Sequence, residues 1–367
     1  MNATSAPYRF HAFEVSYFSA KVRPALRYKQ LWVEELRADY GEIQRRTGLA
    51  FIPVVVTPDD ETWQDTSEIL DQLEARHPNP PLVPPSPVQR IASHLVELYA
   101  DEFATIPAMH YRWGSELGEA SARARFSAMT GSLEIGNAAA DRMAAARIAL
   151  GATDAAAPAL EAHTRDLLDA LSAHFEAHSY LLGGRMSVAD CALMGPLYGH
   201  LFTDLVPRRL LLETAVPVVG WIERCNFPNT DGQGAWLADD ALAPGFRDVL
   251  AVMGSDAAPL ILDVVRAFEA WADDRPADLE EPPRQVGVCD TALRGTSIQR
   301  RSLSYTLWML QRTLDAYRAL DPPDRKAVDE ALAGSGWEAL LAYEPRHRLG
   351  KRRFQLVFEP SASGEAR

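Results

Sequence analysis

Six prolines crowd the ten positions from Pro78 to Pro87, at 78, 80, 81, 84, 85 and 87. Proline fixes φ and has no amide to donate, so neither a helix interior nor a central strand can run through this stretch. It reads as a stiff, extended linker. The chain is therefore predicted to fold as a unit over residues 1–80, with a separate region beginning at 88.

Ahead of the linker, Tyr8-Arg9-Phe10-His11-Ala12-Phe13 alternates large apolar and polar residues, the period of a half-buried strand. Next comes Ser16-Tyr17-Phe18-Ser19-Ala20-Lys21-Val22-Arg23-Pro24, and Val22, Leu26 and Leu31 mark a helix. Ser16 falls at or just before its first turn. Unpaired N–H groups and the positive end of the helix dipole favour an anion there, and a sulfur held there ionises more easily. The plainest role for such a serine is an N-cap. Farther on, Phe51-Ile52-Pro53-Val54-Val55-Val56 places an X-Pro step at the head of a β-branched run, which marks a strand entry, with a cis bond as one option. Asp65-Thr66-Ser67-Glu68 then caps another amphipathic helix, giving β-α-β followed by β-β-α.

These three motifs, in order and about 36 and 12 residues apart, resemble the glutathione transferase family, whose N-terminal half is an α/β thioredoxin-like domain and whose C-terminal half is an all-α bundle. Ser16-x-x-Ser19-x-Lys21-Val22-Arg23 is similar to the family's first helix, and Ile52-Pro53 to its cis-proline step. Asp65-Thr66-x-x-Ile69 is similar to its Glu/Gln-Ser signature. The resemblance implies that Ser16 (or Tyr17 or Ser19, should the helix begin later) stabilises the thiolate of glutathione. It further implies that Ile52 and Pro53 meet the cysteinyl part of glutathione, and that Asp65 and Thr66 hold its γ-glutamyl end. Asp65-Thr66 departs from Glu/Gln-Ser by one methylene lost and one methyl gained.

Composition narrows the function further. Of 367 residues, 47% are hydrophobic, ample for packed cores, while a formal charge of −13 argues against nucleic-acid or anionic-membrane binding. Cys191, Cys225 and Cys289 are widely spaced, which suggests neither a disulfide framework nor a zinc site. His174 and His178 stand four apart without a third ligand, so no metal site is expected. The start at Met1 lacks a basic region followed by an apolar core, and no run of about 18 apolar residues occurs, which points to a reducing cytoplasm.

Past the linker, Ile91, Leu95, Leu98 and Tyr99 stripe one face of a long helix running on to Tyr111, Arg112 and Trp113. In the family this helix borders the second-substrate pocket, so those three residues are candidates to line it, against the plainer reading that they are core. Alanine-rich stretches at 138–150 and 155–173 add helices. Ser187 and Asp190 form a capping box with Met186 and Cys191 as its apolar staple, similar to the folding signature of the transferase helical domain.

The segment at 216–224 is similar to the last helix of the transferase domain, so the resemblance implies a helical domain over 88–230 and an extension over 231–367 that matches no transferase element. Residues 246–272 read as an amphipathic helix, Leu303, Leu307, Leu310, Leu314 and Tyr317 form an apolar seam, and short strands at 285–289 and 354–358 are expected to pair with each other or to cover a sheet edge. The basic run at 346–353 reads as a solvated face balancing the acidic remainder rather than a phosphate site. The resemblance implies a homodimeric, glutathione-using enzyme acting on a small hydrophobic or electrophilic molecule. The alternative is a binding or scaffold protein that keeps the fold without catalysis.

Overall fold

A computed structural model describes residues 6–229 and 233–360; the chain start at Met1–Ser5 and the first residues of the extension, 231 and 232, lie outside the described residues. The first unit runs β1 (Tyr8–Ala12), α1 (Tyr17–Tyr28), β2 (Val33–Arg37), α2 (Tyr40–Thr47), β3 (Val54–Val56), β4 (Thr62–Gln64) and α3 (Thr66–Arg76). Its sheet has the order β2-β1-β3-β4, with β1 parallel to β2 and the other pairs antiparallel. Phe10 pairs with Val55 and Val55 with Trp63, and this face joins the main core under α1 and α3. On the opposite face Val54 and Val56 close a small core with Ile43 of α2, and His11 lies 3.6 Å from Glu42. β1 is thus buried on both faces rather than half-buried. Alternation alone does not report a helix covering the second face.

The proline-rich segment is extended and tied down. The Lys29 ammonium donates to the carbonyls of His77 and Pro80 at 2.6 and 2.7 Å, and Leu82 is buried.

The helical region comprises α4 (Pro87–Glu102), α5 (Thr105–Trp113), α6 (Glu116–Thr130), α7 (Leu133–Ala149), α8 (Ala157–Ala177), α9 (Val188–Pro196), a π-helical turn over Leu197–Phe202, α10 (Leu205–Thr214) and α11 (Val216–Asn226). The single long helix expected from Ile91 to Trp113 is instead two, broken at Phe103 and Ala104. Pro107 explains the break: it cannot donate to the carbonyl of Phe103, four residues back, and its ring crowds that carbonyl. The capping box at the start of α9 is formed, with Asp190 accepting from the Ser187 N–H at 2.8 Å and the Trp221 indole N–H at 2.9 Å. Buried His163 is a structural link. Its ring bonds Tyr99 of α4 at 2.7 Å and Asp256 at 2.8 Å.

The extension contributes α12 (Pro244–Asp273), β5 (Gln285–Leu293), β6 (Thr296–Leu303), α13 (Ser304–Arg318), α14 (Pro322–Leu332), α15 (Glu338–Leu341), β7 (Leu349–Arg352) and β8 (Gln355–Phe358). α12 packs on α8 and α4, and its Phe246, Leu250, Ile261 and Phe268 share the main core with the helical region. Segments 285–289 and 354–358 do not pair with each other; each belongs to its own antiparallel hairpin, β5–β6 and β7–β8. The turns decide this. Arg294 and Gly295, then Arg353 and Phe354, adopt positive φ and reverse the chain locally, which forms each hairpin at a smaller entropic cost than a distant pairing. Leu307, Leu310 and Leu314 are buried on α13, while Leu303 ends β6.

Candidate functional site

Sheet register gathers the three motifs at one end of the first unit. β1 leads at its C-terminal end into Ser16, the antiparallel β3 begins there just after Pro53, and β4 ends there at Asp65, since His11 pairs with Val54 and Val54 with Gln64. The Ile52–Pro53 peptide is cis. Two helices, α1 and α3, point their N-termini at this corner, with Ser16 and Asp65 as their caps.

Ser16 has extended backbone (φ −82°, ψ 124°), and its hydroxyl oxygen accepts the Ser19 N–H at 3.2 Å. A capping serine uses a lone pair for this, which leaves its own O–H proton to donate outward. Ser16 is half-buried, whereas the other two hydroxyls of the junction are enclosed. Tyr17 donates to the Ala100 carbonyl at 2.5 Å, and burial, reinforced by Asp101, pushes its phenol well above its ordinary range. Ser19 is fully buried and accepts the Phe13 N–H at 3.4 Å.

Lys21 and Arg23 of the first-helix motif are structural. The buried Lys21 ammonium sits 2.6 Å from Asp101, 2.9 Å from Glu97 and 3.1 Å from the Ser67 hydroxyl, fastening α1 to α4 and α3. Burial alone would lower its pKa, but the two carboxylates hold it above the usual range. Arg23 forks onto Glu35 and also donates to the Phe13 carbonyl at 3.3 Å.

Arg112 is buried and fully engaged inside the protein, donating to Asp204 at 2.7 Å, to the Val15 carbonyl at 3.0 Å and to the Gly199 carbonyl at 2.7 Å. Trp113 is buried with Met109, Ala122 and Ala140 in a small core of their own, and Tyr111 is partly buried against the main core. Of the three proposed pocket residues, Arg112 is tied to the site through the backbone just before Ser16. Its partner Asp204 lies 92 residues on, and no local pattern announces it.

Asp65 carries an unusual backbone, φ 77° and ψ 125°, a region that costs a non-glycine residue about 1–3 kcal/mol and that clusters at functional sites. Its Oδ1 accepts the Ser67 N–H at 3.0 Å. Its Oδ2 accepts the Tyr305 O–H at 2.6 Å and pairs with the Lys351 ammonium at 2.9 Å. Sequence reasoning missed both partners, which come from the extension. Thr66 is buried, Ile52 partly so. The corner therefore has two unlike halves: a Ser16 end with an available hydroxyl, and an Asp65 end whose carboxylate is already neutralised from within. Among the described residues no cluster of His, Cys, Asp or Glu is arranged to hold a metal, and no helix is long and apolar enough to cross a membrane.

Over residues 10–81 the chain matches the family described as Glutathione S-transferase, N-terminal domain, and over residues 135–227 the one described as Glutathione S-transferase, C-terminal domain. No curated protein matches it. Among solved structures it is similar to a glutathione S-transferase from Rhodospirillum rubrum F11, at 17% identity over 66% of this chain and 99% of that one, with a TM-score of 0.41. It is similar to FzlA from C. crescentus, at 20% identity over 66% and 99% of the two chains, TM-score 0.40. A third likeness is to a glutathione S-transferase from Methylobacterium radiotolerans in complex with glutathione sulfonate, at 18% identity over 65% and 100%, TM-score 0.39.

Proposed function

The chain belongs to the glutathione transferase superfamily, and from that premise we propose that it binds a glutathione-type thiol with its sulfur at the N-terminus of α1 and stabilises the thiolate for attack on a small electrophilic or hydrophobic molecule. The observation that carries the reading is the Ser16 hydroxyl. It spends a lone pair on the Ser19 N–H and keeps its proton, at a helix start, half-open to solvent. Lowering a thiol pKa by two units needs about 2.7 kcal/mol of preference for the anion, within reach of one hydrogen bond plus a helix terminus. The thiol proton leaves to water, the sulfur lone pair forms the carbon–sulfur bond, and the leaving group departs with its bonding pair. Serine forms no bond itself. In this reading Ile52 and Pro53 support the cysteinyl backbone, and Arg112 positions the Ser16 loop.

A second reading, a non-catalytic binding or scaffold protein, draws on a different observation: Tyr305 and Lys351 occupy the carboxylate of Asp65 that the γ-glutamyl ammonium of glutathione would need. Calorimetric titration with glutathione separates the two. Micromolar-to-millimolar binding of glutathione supports the thiol reading, and heat of dilution alone, with glutathione and with a shorter cysteinyl thiol alike, supports the scaffold.

We read the chain as three units, 1–80, 88–230 and 231–367. A cytoplasmic setting is supported by three free, buried cysteines. A homodimer is supported by the apolar side chains Leu133, Ile135 and Met143 exposed on α7. Light scattering at about twice 40.5 kDa is the expected result, and a 40.5 kDa particle would reject the dimer.

A further inference from the structure

Two elements of the extension, α13 and the β7–β8 hairpin, converge on the carboxylate of Asp65. The Lys351 ammonium bridges Asp65 at 2.9 Å and Glu68 at 3.0 Å and lies 3.7 Å from the centre of the Trp308 ring, with 11% of its side chain exposed. Two carboxylates and an aromatic face thus act on one ammonium. Tyr305 adds its hydroxyl to the same Asp65 oxygen, at 2.6 Å.

Neither group hangs from a loose flap. Leu349, two residues before Lys351, exchanges two hydrogen bonds with the Gln311 side chain, at 2.9 and 3.0 Å. The helix that carries Tyr305 buries Leu307, Leu310 and Leu314 in the main core. An ammonium arriving at Asp65 would find its acceptor neutralised and a like charge beside it. The Ser16 end is different: its hydroxyl keeps a proton to give.

We propose that Tyr305 and Lys351 are specificity-determining residues, supplying from within the chain the donors that a γ-glutamyl ammonium would bring to Asp65. The thiol that the site takes then stops short of that ammonium: an N-acylated cysteine or a short N-acylated cysteinyl peptide. The inference rests on the reading of Ser16 as a thiol site and narrows its substrate class.

The test is calorimetric titration of the full chain with glutathione and with N-acetylcysteinylglycine, in the wild type, in Lys351→Met and in the double variant Tyr305→Phe/Lys351→Met. The wild type is expected to bind the truncated thiol at least as tightly as glutathione. The double variant should bind glutathione tighter by about tenfold or more while the truncated thiol changes little, because one charge-assisted hydrogen bond to Asp65 becomes available. Should the double variant fail to fold, Lys351→Met alone is expected to move glutathione in the same direction. Wild-type binding that favours glutathione, or glutathione affinity unchanged or weakened by the substitutions, overturns the inference and leaves the thiol site standing. Binding of neither thiol by any of the three proteins overturns the thiol site, and the inference with it.

Discussion

Arg112 donates from Nη1 to the carbonyl of Val15 at 3.0 Å, so the residue just before Ser16 is clamped to the helical region by a guanidinium that Asp204 neutralises at 2.7 Å. Removing one member of a buried pair leaves the other charge poorly compensated, at up to about 3–5 kcal/mol and here less because Arg125 also lies 3.4 Å from Asp204, whereas removing both costs far less. Arg112→Leu should therefore lower the urea midpoint steeply, and Arg112→Leu/Asp204→Leu should recover most of the loss. A single variant as stable as the wild type would mean that the clamp contributes nothing.

Acid should weaken the fold through His174. Burial, with His178 stacked 5.0 Å away, lowers its pKa from 6.5 to about 4, against the raising effect of the Tyr180 carbonyl at 3.1 Å. The unfolded chain takes up the proton first, so this contribution is complete above about pH 6.5 and disappears as pH falls toward 4. It amounts to about 3 kcal/mol. Denaturation curves at pH 7 and pH 4 should show His174→Gln losing less stability than the wild type over that interval. Parallel losses would remove His174 from the acid response.

The extension should behave as part of the core. Leu310 is fully buried on α13, and Leu310→Ala should destabilise the whole protein by about 2–5 kcal/mol. Val288→Ala on the half-open face of β5, where the residue is 59% exposed, should stay within about 0.5 kcal/mol. A chain ending at Asn229 strips α12 from α8 and α4 and is expected to aggregate. Were it to remain monodisperse and equally heat-stable, the extension would be an independent appendage.

What could be read in the sequence was what short-range chemistry dictates. A serine before a helix, a proline heading a β-branched run and the Ser187/Asp190 capping box each answer a local backbone need, and Ser16, Ile52–Pro53 and α9 take up the conformations those needs imply. The break at Phe103 also carried a local signal, in Pro107, which the strong apolar stripe from Ile91 to Tyr99 overrode. The strand pairings of the extension turned on positive φ at Arg294, Arg353 and Phe354, which those residue types do not announce. The partners of Asp65 were beyond reach for another reason. Tyr305 lies 240 residues away, and only tertiary packing of α13 brings it and Lys351 to that carboxylate.

The most direct measurement of the central claim is the ultraviolet absorbance of protein-bound thiolate across pH, with glutathione and N-acetylcysteinylglycine as probes, in the wild type and in Ser16→Ala. A hydroxyl that donates to sulfur at a helix start should hold the bound thiol about two units below its free value, and Ser16→Ala should return about one unit or more of that shift with the fold intact. A bound-thiol pKa that is the same in the two proteins would contradict the account.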